Sequence, residues 1–242
     1  MRYLKTSSML VIIAAVVAAC DNNDPPVTPP SAPPPIAMSD FTISITNLTN
    51  AQPLSPVALI AHDSIYSYFR VGEPATAELE LLAESGDNAD LIAAATADSN
   101  VITTRQGAGV IPPGGTESFD LSIAANQVAG ARISLATMLV NTNDAFTGLN
   151  GLPIASLSAG EVLGFTAIAY DAGTEDDTEA AATIPGPAGG GEGFNAARDD
   201  RADFVTMHSG VVTADDGLAS SALTSQHRFL NPVARIEVMR IN

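Results

Sequence analysis

Leu135-Ala136-Thr137-Met138-Leu139-Val140 opens the segment 135–177, in which two apolar runs each end in an acidic loop. The second run is Val162-Leu163-Gly164-Phe165-Thr166-Ala167-Ile168-Ala169. Apolar residues at successive positions are typical of strands that are buried on both faces. Both runs are therefore predicted to be central strands of a β-sheet. The loops after them carry Asp144 in the first case, and Asp171, Glu175, Asp176 and Asp177 in the second.

Segments with strict alternation of apolar and polar residues flank these runs. Alternation of this kind predicts strands with one face toward a core and the other toward solvent. The inward residues are expected to be Phe41, Ile43 and Ile45 in the first strand, Phe119, Leu121 and Ile123 in another, and Ala234, Ile236 and Val238 in the last. Seven or eight strands without repeated strand–helix units predict an all-β fold, an antiparallel β-sandwich.

A short helical insertion is expected between the early strands. Leu79, Leu82 and Ala83 recur at helical spacing, and Ser85-Gly86 follows as a stop signal. A second helix is predicted from Asp87 as its N-cap, with Leu91, Ile92 and Ala95 on its apolar side. We expect both helices to pack against the sandwich.

The N-terminus resembles an export signal of the bacterial lipoprotein type. Arg2 and Lys5 precede the apolar run 9–19, which has the length of a signal-peptide core. The run ends in Val17-Ala18-Ala19-Cys20, and Cys20 is the only cysteine of the chain. The resemblance implies cleavage before Cys20 and lipidation of its thiol, which would anchor the protein to a membrane. The alternative is an ordinary signal peptide with an incidental cysteine.

The proline-rich stretch that follows is typical of an extended tether. The predicted organisation is a signal peptide at 1–19, a lipidated Cys20 with its tether at 20–39, and one domain at 40–242. This arrangement places the protein in the bacterial cell envelope, outside the cytoplasm. The choice between inner and outer membrane stays open.

The charge of the chain excludes several classes of function. Asp and Glu number 27 against 10 Lys and Arg, which gives a formal charge of -17. Nucleic acid is not an expected partner, because phosphate binding needs clustered basic residues. The three histidines lack the spacing of a zinc site. His62-Asp63-Ser64 has the residue types of a catalytic triad, but neighbouring side chains rarely point at one another, so no enzyme is predicted.

The acidic loops can be interpreted in two ways. Calcium takes six to eight oxygen ligands from carboxylates, carbonyls and water. If the two central strands run in the same direction, their loops meet at one end of the sandwich and can supply such ligands. The alternative is a pair of solvated acidic loops without a cation.

Several motifs resemble those of the spondin domain, which occurs in F-spondin, in mindin and in bacterial secreted proteins. The more specific ones are Asp144-Ala145-Phe146-Thr147-Gly148-Leu149 and Tyr170-Asp171-Ala172-Gly173-Thr174-Glu175. The others are Ile45-Thr46-Asn47-Leu48-Thr49, Pro53-Leu54-Ser55-Pro56, Ala61-His62-Asp63, Ala136-Thr137-Met138-Leu139-Val140 and Asn231-Pro232-Val233-Ala234-Arg235-Ile236.

This resemblance implies a C2-like sandwich that holds Ca2+ in its end loops. It implies Asp144, Asp171 and Glu175 as the carboxylate ligands. Animal members usually carry Asp where Glu175 stands, and they have domain cysteines that this chain lacks. Their matrix and integrin partners are therefore not carried over.

The sequence thus leads to one preferred function and two rivals. The preferred function is a membrane-anchored, calcium-binding adhesion or recognition module whose partner is an extracellular or periplasmic protein or glycan. The first rival is calcium-bridged, C2-like binding to a membrane or an anionic polymer. It requires exposed apolar or basic residues near the loops; Phe146 fits, but basic residues are missing. The second rival is a hydrolase, which requires a nucleophile–base pair.

Overall fold

A computed structural model describes residues 35–197 and 202–242, and its strands form two antiparallel sheets. The export signal, Cys20 and most of the tether lie outside the described residues. No helix in the described ranges has the length and apolar character needed to cross a membrane. The strands are β1 Met38–Asn47, β2 Ala58–His62, β3 Val101–Gln106, β4 Thr116–Ala124, β5 Arg132–Met138, β6 Ala145–Pro153, β7 Val162–Ala167, β8 Ala169–Asp171, β9 Thr206–Met207 and β10 Ala234–Arg240. The helices are α1 Ala77–Ser85 and α2 Ala89–Ala97, with short 3-10 turns at Val128–Gly130, Ala214–Asp216 and Ser225–His227.

The interior lies between a four-stranded sheet, β4-β1-β10-β7, and a six-stranded sheet, β3-β2-β5-β6-β8-β9. Alternation along β1 confirms the predicted pattern, because Phe41, Ile43 and Ile45 are buried while the residues between them are partly exposed. Ile43 lies between Phe119 of β4 and Val238 of β10 in the register of the sheet. The predicted all-β sandwich with a small helical insertion is thus confirmed.

The six-stranded sheet is covered on both faces. Every residue of β5 after Arg132 is buried, as predicted from its continuous apolar run. One face meets the four-stranded sheet, and the other meets the two helices. Leu79 and Leu82 of α1 and Leu91 of α2 share a second apolar cluster with Ala58, Ile60, Ala136, Met138 and Phe146 of the sheet.

The helices begin and end close to the predicted residues. The hydroxyl of Thr76 accepts a hydrogen bond from the backbone N–H of Leu79 and caps α1. Gly86 ends α1 in a left-handed conformation, as the stop signal predicted. Asp87 accepts a hydrogen bond from the N–H of Ala89, one residue before the assigned N-cap of α2.

Three predictions about the central segment are wrong. The second apolar run is not one central strand. Its first part, β7, is an edge strand of the four-stranded sheet, and its last part, β8, belongs to the six-stranded sheet. The segment after Asp144 is not a loop but β6, which pairs with β5. Phe146 is not exposed, since it is fully buried beneath Phe69 and Tyr170.

The two ends of the sandwich carry different parts of the chain. Both ends of the described domain meet at one pole, where Asp40 and Asn242 exchange hydrogen bonds. At the opposite end of β1, Asn47 donates a hydrogen bond to the carbonyl of Gln52, and Gln52 bonds in turn to the backbone of Asn141. β1 is ten residues long, so these poles lie about 30 Å apart at roughly 3.3 Å per residue.

Gly148 gives a test of how tightly the six-stranded sheet is packed. A Cβ at this position would overlap the carbonyl oxygen of Leu135 and lie 2.9 Å from the Tyr68 hydroxyl, which itself donates to Leu135. We expect Gly148→Ala to lower the free energy of unfolding, measured in urea, by about 3 kcal/mol or more, because the backbone at Leu135 must shift to make room for the new Cβ. Gly164 of β7 has open space around it, so Gly164→Ala should change stability by less than about 1 kcal/mol. Equal effects of the two substitutions would contradict this packing.

Candidate metal centre

The topology brings the two acidic segments to one pole. β5 is antiparallel to β6, and β6 is antiparallel to β8, so β5 and β8 run in the same direction. Asp144 precedes β6, and Asp171 ends β8. Ala145 and Asp171 are partners in the register, which places the two acidic residues side by side, as the sequence predicted.

Three carboxylates converge at this pole. One oxygen from each of Asp144, Asp171 and Asp177 lies within 4.8 Å of the other two. Asp144 is buried, Asp171 is partly buried and Asp177 is exposed. The exposure of the three side chains therefore increases from the protein interior toward an open cleft of about 350 Å³. The lining of this cleft includes Asp171, Glu175, Asp176 and Asp177.

Only one of the two carboxylate oxygens of Asp144 accepts hydrogen bonds. Its Oδ2 accepts hydrogen bonds from the backbone N–H groups of Thr174, at 2.8 Å, and Glu175, at 3.2 Å. Its Oδ1 is buried and has no hydrogen-bond partner. Buried acceptors without a partner are rare in native proteins and cost roughly 1–3 kcal/mol or more. The donor set of this cluster therefore fits a bound cation.

Burial and mutual repulsion perturb the titration of the cluster. Burial, with the charges of Asp171 and Asp177, raises the pKa of Asp144 to about 8, despite the hydrogen bond from Thr174. Burial and the charge of Asp177 also raise the pKa of Asp171. Carboxylates that are this close cannot all be ionised without a compensating charge.

His208 belongs to this pole, although its position in the sequence gave no sign of it. Its Nε2 lies 3.6 Å from Oδ1 of Asp177, and its Nδ1 accepts a hydrogen bond of 2.9 Å from the N–H of Gly210. Burial lowers the pKa of His208, but the adjacent Asp177 and the charges of Asp171 and Asp144 outweigh it, so the pKa is raised. His208 follows Asp177 by 31 positions in the chain, so only the fold reveals their proximity.

Glu175, the third expected ligand, lines the cleft beside the cluster. Its backbone N–H contacts Asp144, while its Oε2 accepts a hydrogen bond of 3.1 Å from Nδ2 of Asn143. The three-carboxylate cluster contains Asp177 in its place. In the sequence, Asp177 could be considered only as added charge and a further possible ligand.

The backbone around the cleft is strained. Glu179 and Asp203 have φ angles of 55° and 52°, and they are the only residues other than glycine with positive φ in the described ranges. Asp203 donates its N–H to the carbonyl of Gly173, where a Cβ would lie 2.5 Å from the carbonyl oxygen of Phe204. Left-handed non-glycine residues concentrate at functional sites, so this strain agrees with a binding role for the cleft.

The triad-like residues do not form a triad with one another. Instead, Nε2 of His62 lies 2.7 Å from Oγ of Ser134, and Nδ1 lies 2.6 Å from the carbonyl oxygen of Asp63. Ser134 also accepts a hydrogen bond from the N–H of Gly151, at the point where the register of β5 and β6 shifts. His62 and Ser134 are both fully buried, so this pair stabilises the irregular sheet and offers no accessible nucleophile.

Comparison of the chain with models of known protein families and with curated proteins finds no match.

The pH dependence of stability tests the electrostatics of Asp144. An acid with a pKa of 3.8 in the unfolded chain and about 8 in the folded one binds more protons when folded. In the presence of chelator, stability should therefore fall as the pH rises from about 4 to 8, by up to about 1.4 kcal/mol per pH unit. Urea unfolding of Asp144→Asn should show a clearly flatter profile over this range. A profile equally steep in the variant would show that Asp144 is not the responsible group.

Proposed function

We propose that this protein is a calcium-binding recognition or adhesion module of the bacterial cell envelope, held at a membrane by a lipid on Cys20. The observation that carries the proposal is the buried, unpartnered Oδ1 of Asp144, next to the carboxylates of Asp171 and Asp177. A cation there would offset the burial and the mutual repulsion that raise the pKa values of Asp144 and Asp171.

The chemistry of the donors favours Ca2+. The three carboxylates supply only oxygen, which suits a hard cation. They can provide three to six ligand atoms, and calcium accepts six to eight at flexible geometry. The remaining positions would face the cleft, where water or a partner's oxygen atoms can reach them.

The cleft lies at the end of the domain that is far from the first residues of the domain. Ile36, where the described domain begins, lies at the pole opposite Asp144. The expected partner of the acidic cleft is an envelope or extracellular protein or glycan.

The rival functions have less support. Binding to a membrane by the C2-like route needs exposed apolar residues beside the cation. Phe146, the residue expected in that role, is buried, whereas Phe204 and Met207 near the cleft are exposed. The surplus of acid around the cleft also opposes an anionic polymer. A hydrolase is not proposed, because the Ser134–His62 pair is inaccessible.

Thermal or urea unfolding with Ca2+ and with chelator tests the cation site. Ca2+ at a hundredfold over its dissociation constant should stabilise the domain by about 2.7 kcal/mol. Asp144→Asn, Asp171→Asn and Asp177→Asn should each remove most of this gain. Asp90→Asn, an exposed residue of α2, is the control and should keep it. No stabilisation of the unmodified protein by Ca2+ would refute the proposal.

Capture experiments test the recognition role. The domain without its anchor, immobilised through its N-terminus so that the cleft faces outward, should retain envelope glycans or proteins in Ca2+ and release them in chelator. Asp171→Asn should retain nothing in either condition. Retention that is unaffected by chelator and by this substitution would argue against a cation-dependent module.

A further inference from the structure

Asn143 connects the two halves of the cation site. It immediately precedes Asp144 and is buried, with 1% of its surface exposed. Its Nδ2 donates to Oε2 of Glu175, at 3.1 Å, and to the hydroxyl of Thr183, at 2.9 Å. Its Oδ1 accepts a hydrogen bond of 3.3 Å from the N–H of Glu179.

These contacts surround the residue that carries the outermost carboxylate. Asp177 lies between Glu175 and Glu179 in the chain, so Asn143 holds the segment on both sides of it. The side chain of Asp177 is itself 35% exposed, and it lies near His208. Asn143, the residue next to Asp144, therefore contacts the chain on both sides of Asp177, and the N–H groups of Val212 and Ala222 also bond to Glu179.

A second link closes the same loop. Thr178 and Thr183 are hydrogen-bonded through their hydroxyls at 2.8 Å, and Nδ2 of Asn143 also lies 3.4 Å from the Thr178 hydroxyl. The amide of one buried asparagine thus organises residues 175–183 into a compact loop. Glu179, which has a left-handed conformation, donates its N–H to this amide and accepts hydrogen bonds from the N–H groups of Ala222 and Val212.

We propose that Asn143 is a positioning residue that sets the distance of Asp177 from Asp144 and thereby the affinity and size selectivity of the cation site. The inference rests on the proposed function, because it assumes that a cation binds to this cluster. Asn143 itself does not contact the cation, since its amide is used by the loop.

Two physical effects follow from this role. Groups that orient metal ligands typically contribute 10–100-fold to metal affinity. Discrimination between Ca2+ and the smaller Mg2+ depends on the size and rigidity of the ligand set. Without its link to Asn143, the loop no longer fixes the distance between Asp177 and Asp144. The site can then shrink around Mg2+ or open too far for Ca2+, so both the affinity for Ca2+ and its selectivity over Mg2+ should decline.

The chain provides a matched control for a merely structural role. Asn88 is also 1% exposed, donates to the carbonyl of Pro56 at 2.8 Å and accepts from Gln106 at 2.6 Å. It lies at the start of α2, outside the acidic loops. Asn88→Ala removes a buried amide of similar connectivity without touching the segment around Asp177.

The experiment measures Ca2+ and Mg2+ dissociation constants by calorimetry on the soluble domain, together with unfolding in chelator. Asn143→Ala should weaken Ca2+ binding by about 10–100-fold and bring the Ca2+ and Mg2+ constants closer together. Asn88→Ala should lose stability in chelator but keep both constants. Thr183→Val removes one hydroxyl with little change in shape, and it should weaken Ca2+ binding to a smaller degree.

The possible results separate this inference from the function on which it rests. Absence of Ca2+ binding by the unmodified domain would overturn both. Ca2+ binding by the unmodified domain with the same constants in Asn143→Ala would overturn the positioning role alone. If Asn143→Ala does not fold, Thr183→Val decides: unchanged constants in that variant overturn the role, and a weakened Ca2+ constant supports it.

Discussion

The carboxylate of Asp144 is the constraint on which the acidic pole depends. It is buried, it faces two other carboxylates, and only one of its oxygens is hydrogen-bonded. A charge in such surroundings is strongly unfavourable unless something compensates for it. Either a proton or a cation can do so, and the pKa of about 8 places the two in direct competition near neutral pH. The acidic loops, the two residues with left-handed backbone and His208 all lie around this carboxylate.

The scaffold fixes that group with a precision that loops alone could not provide. The six-stranded sheet is packed on one face by the other sheet and on the other face by α1 and α2. The turn that carries Asp144 leaves β5, which is buried along almost its whole length. The side chain of Gln52 then joins this turn to the segment that follows β1. Both sheets therefore contribute to the position of the acidic loops, which lie at the pole opposite both ends of the described domain.

Local sequence patterns predicted the strands whose burial follows a single pattern along their whole length. Strict alternation identified β1, β4 and β10, and a continuous apolar run identified β5. The same reasoning failed for β6, because Gly148, Asn150 and Gly151 have the composition of a turn while the strand tolerates them through close packing and a register shift. It also failed for Val162–Tyr170, since one apolar run serves two sheets. At the site, the sequence identified Asp144 and Asp171, which lie at strand ends, immediately before β6 and at the last position of β8. Asp177 and His208 depend on loop conformation, which spacing does not determine.

The hydrogen bonds of His208 indicate whether its ring can serve as a metal ligand at this pole. The N–H of Gly210 points at Nδ1, so Nδ1 acts as an acceptor and carries no proton. The proton of the neutral ring must then be on Nε2, the atom that faces Asp177. In the charged ring Nδ1 would be protonated as well and could not accept from Gly210. In neither state does Nε2 offer a lone pair to a metal, so the imidazole acts on the carboxylates as a donor or a charge. The group that could hold a metal ion therefore consists of carboxylate oxygens, and the proposal of Ca2+ rests on the preference of hard cations for such ligands.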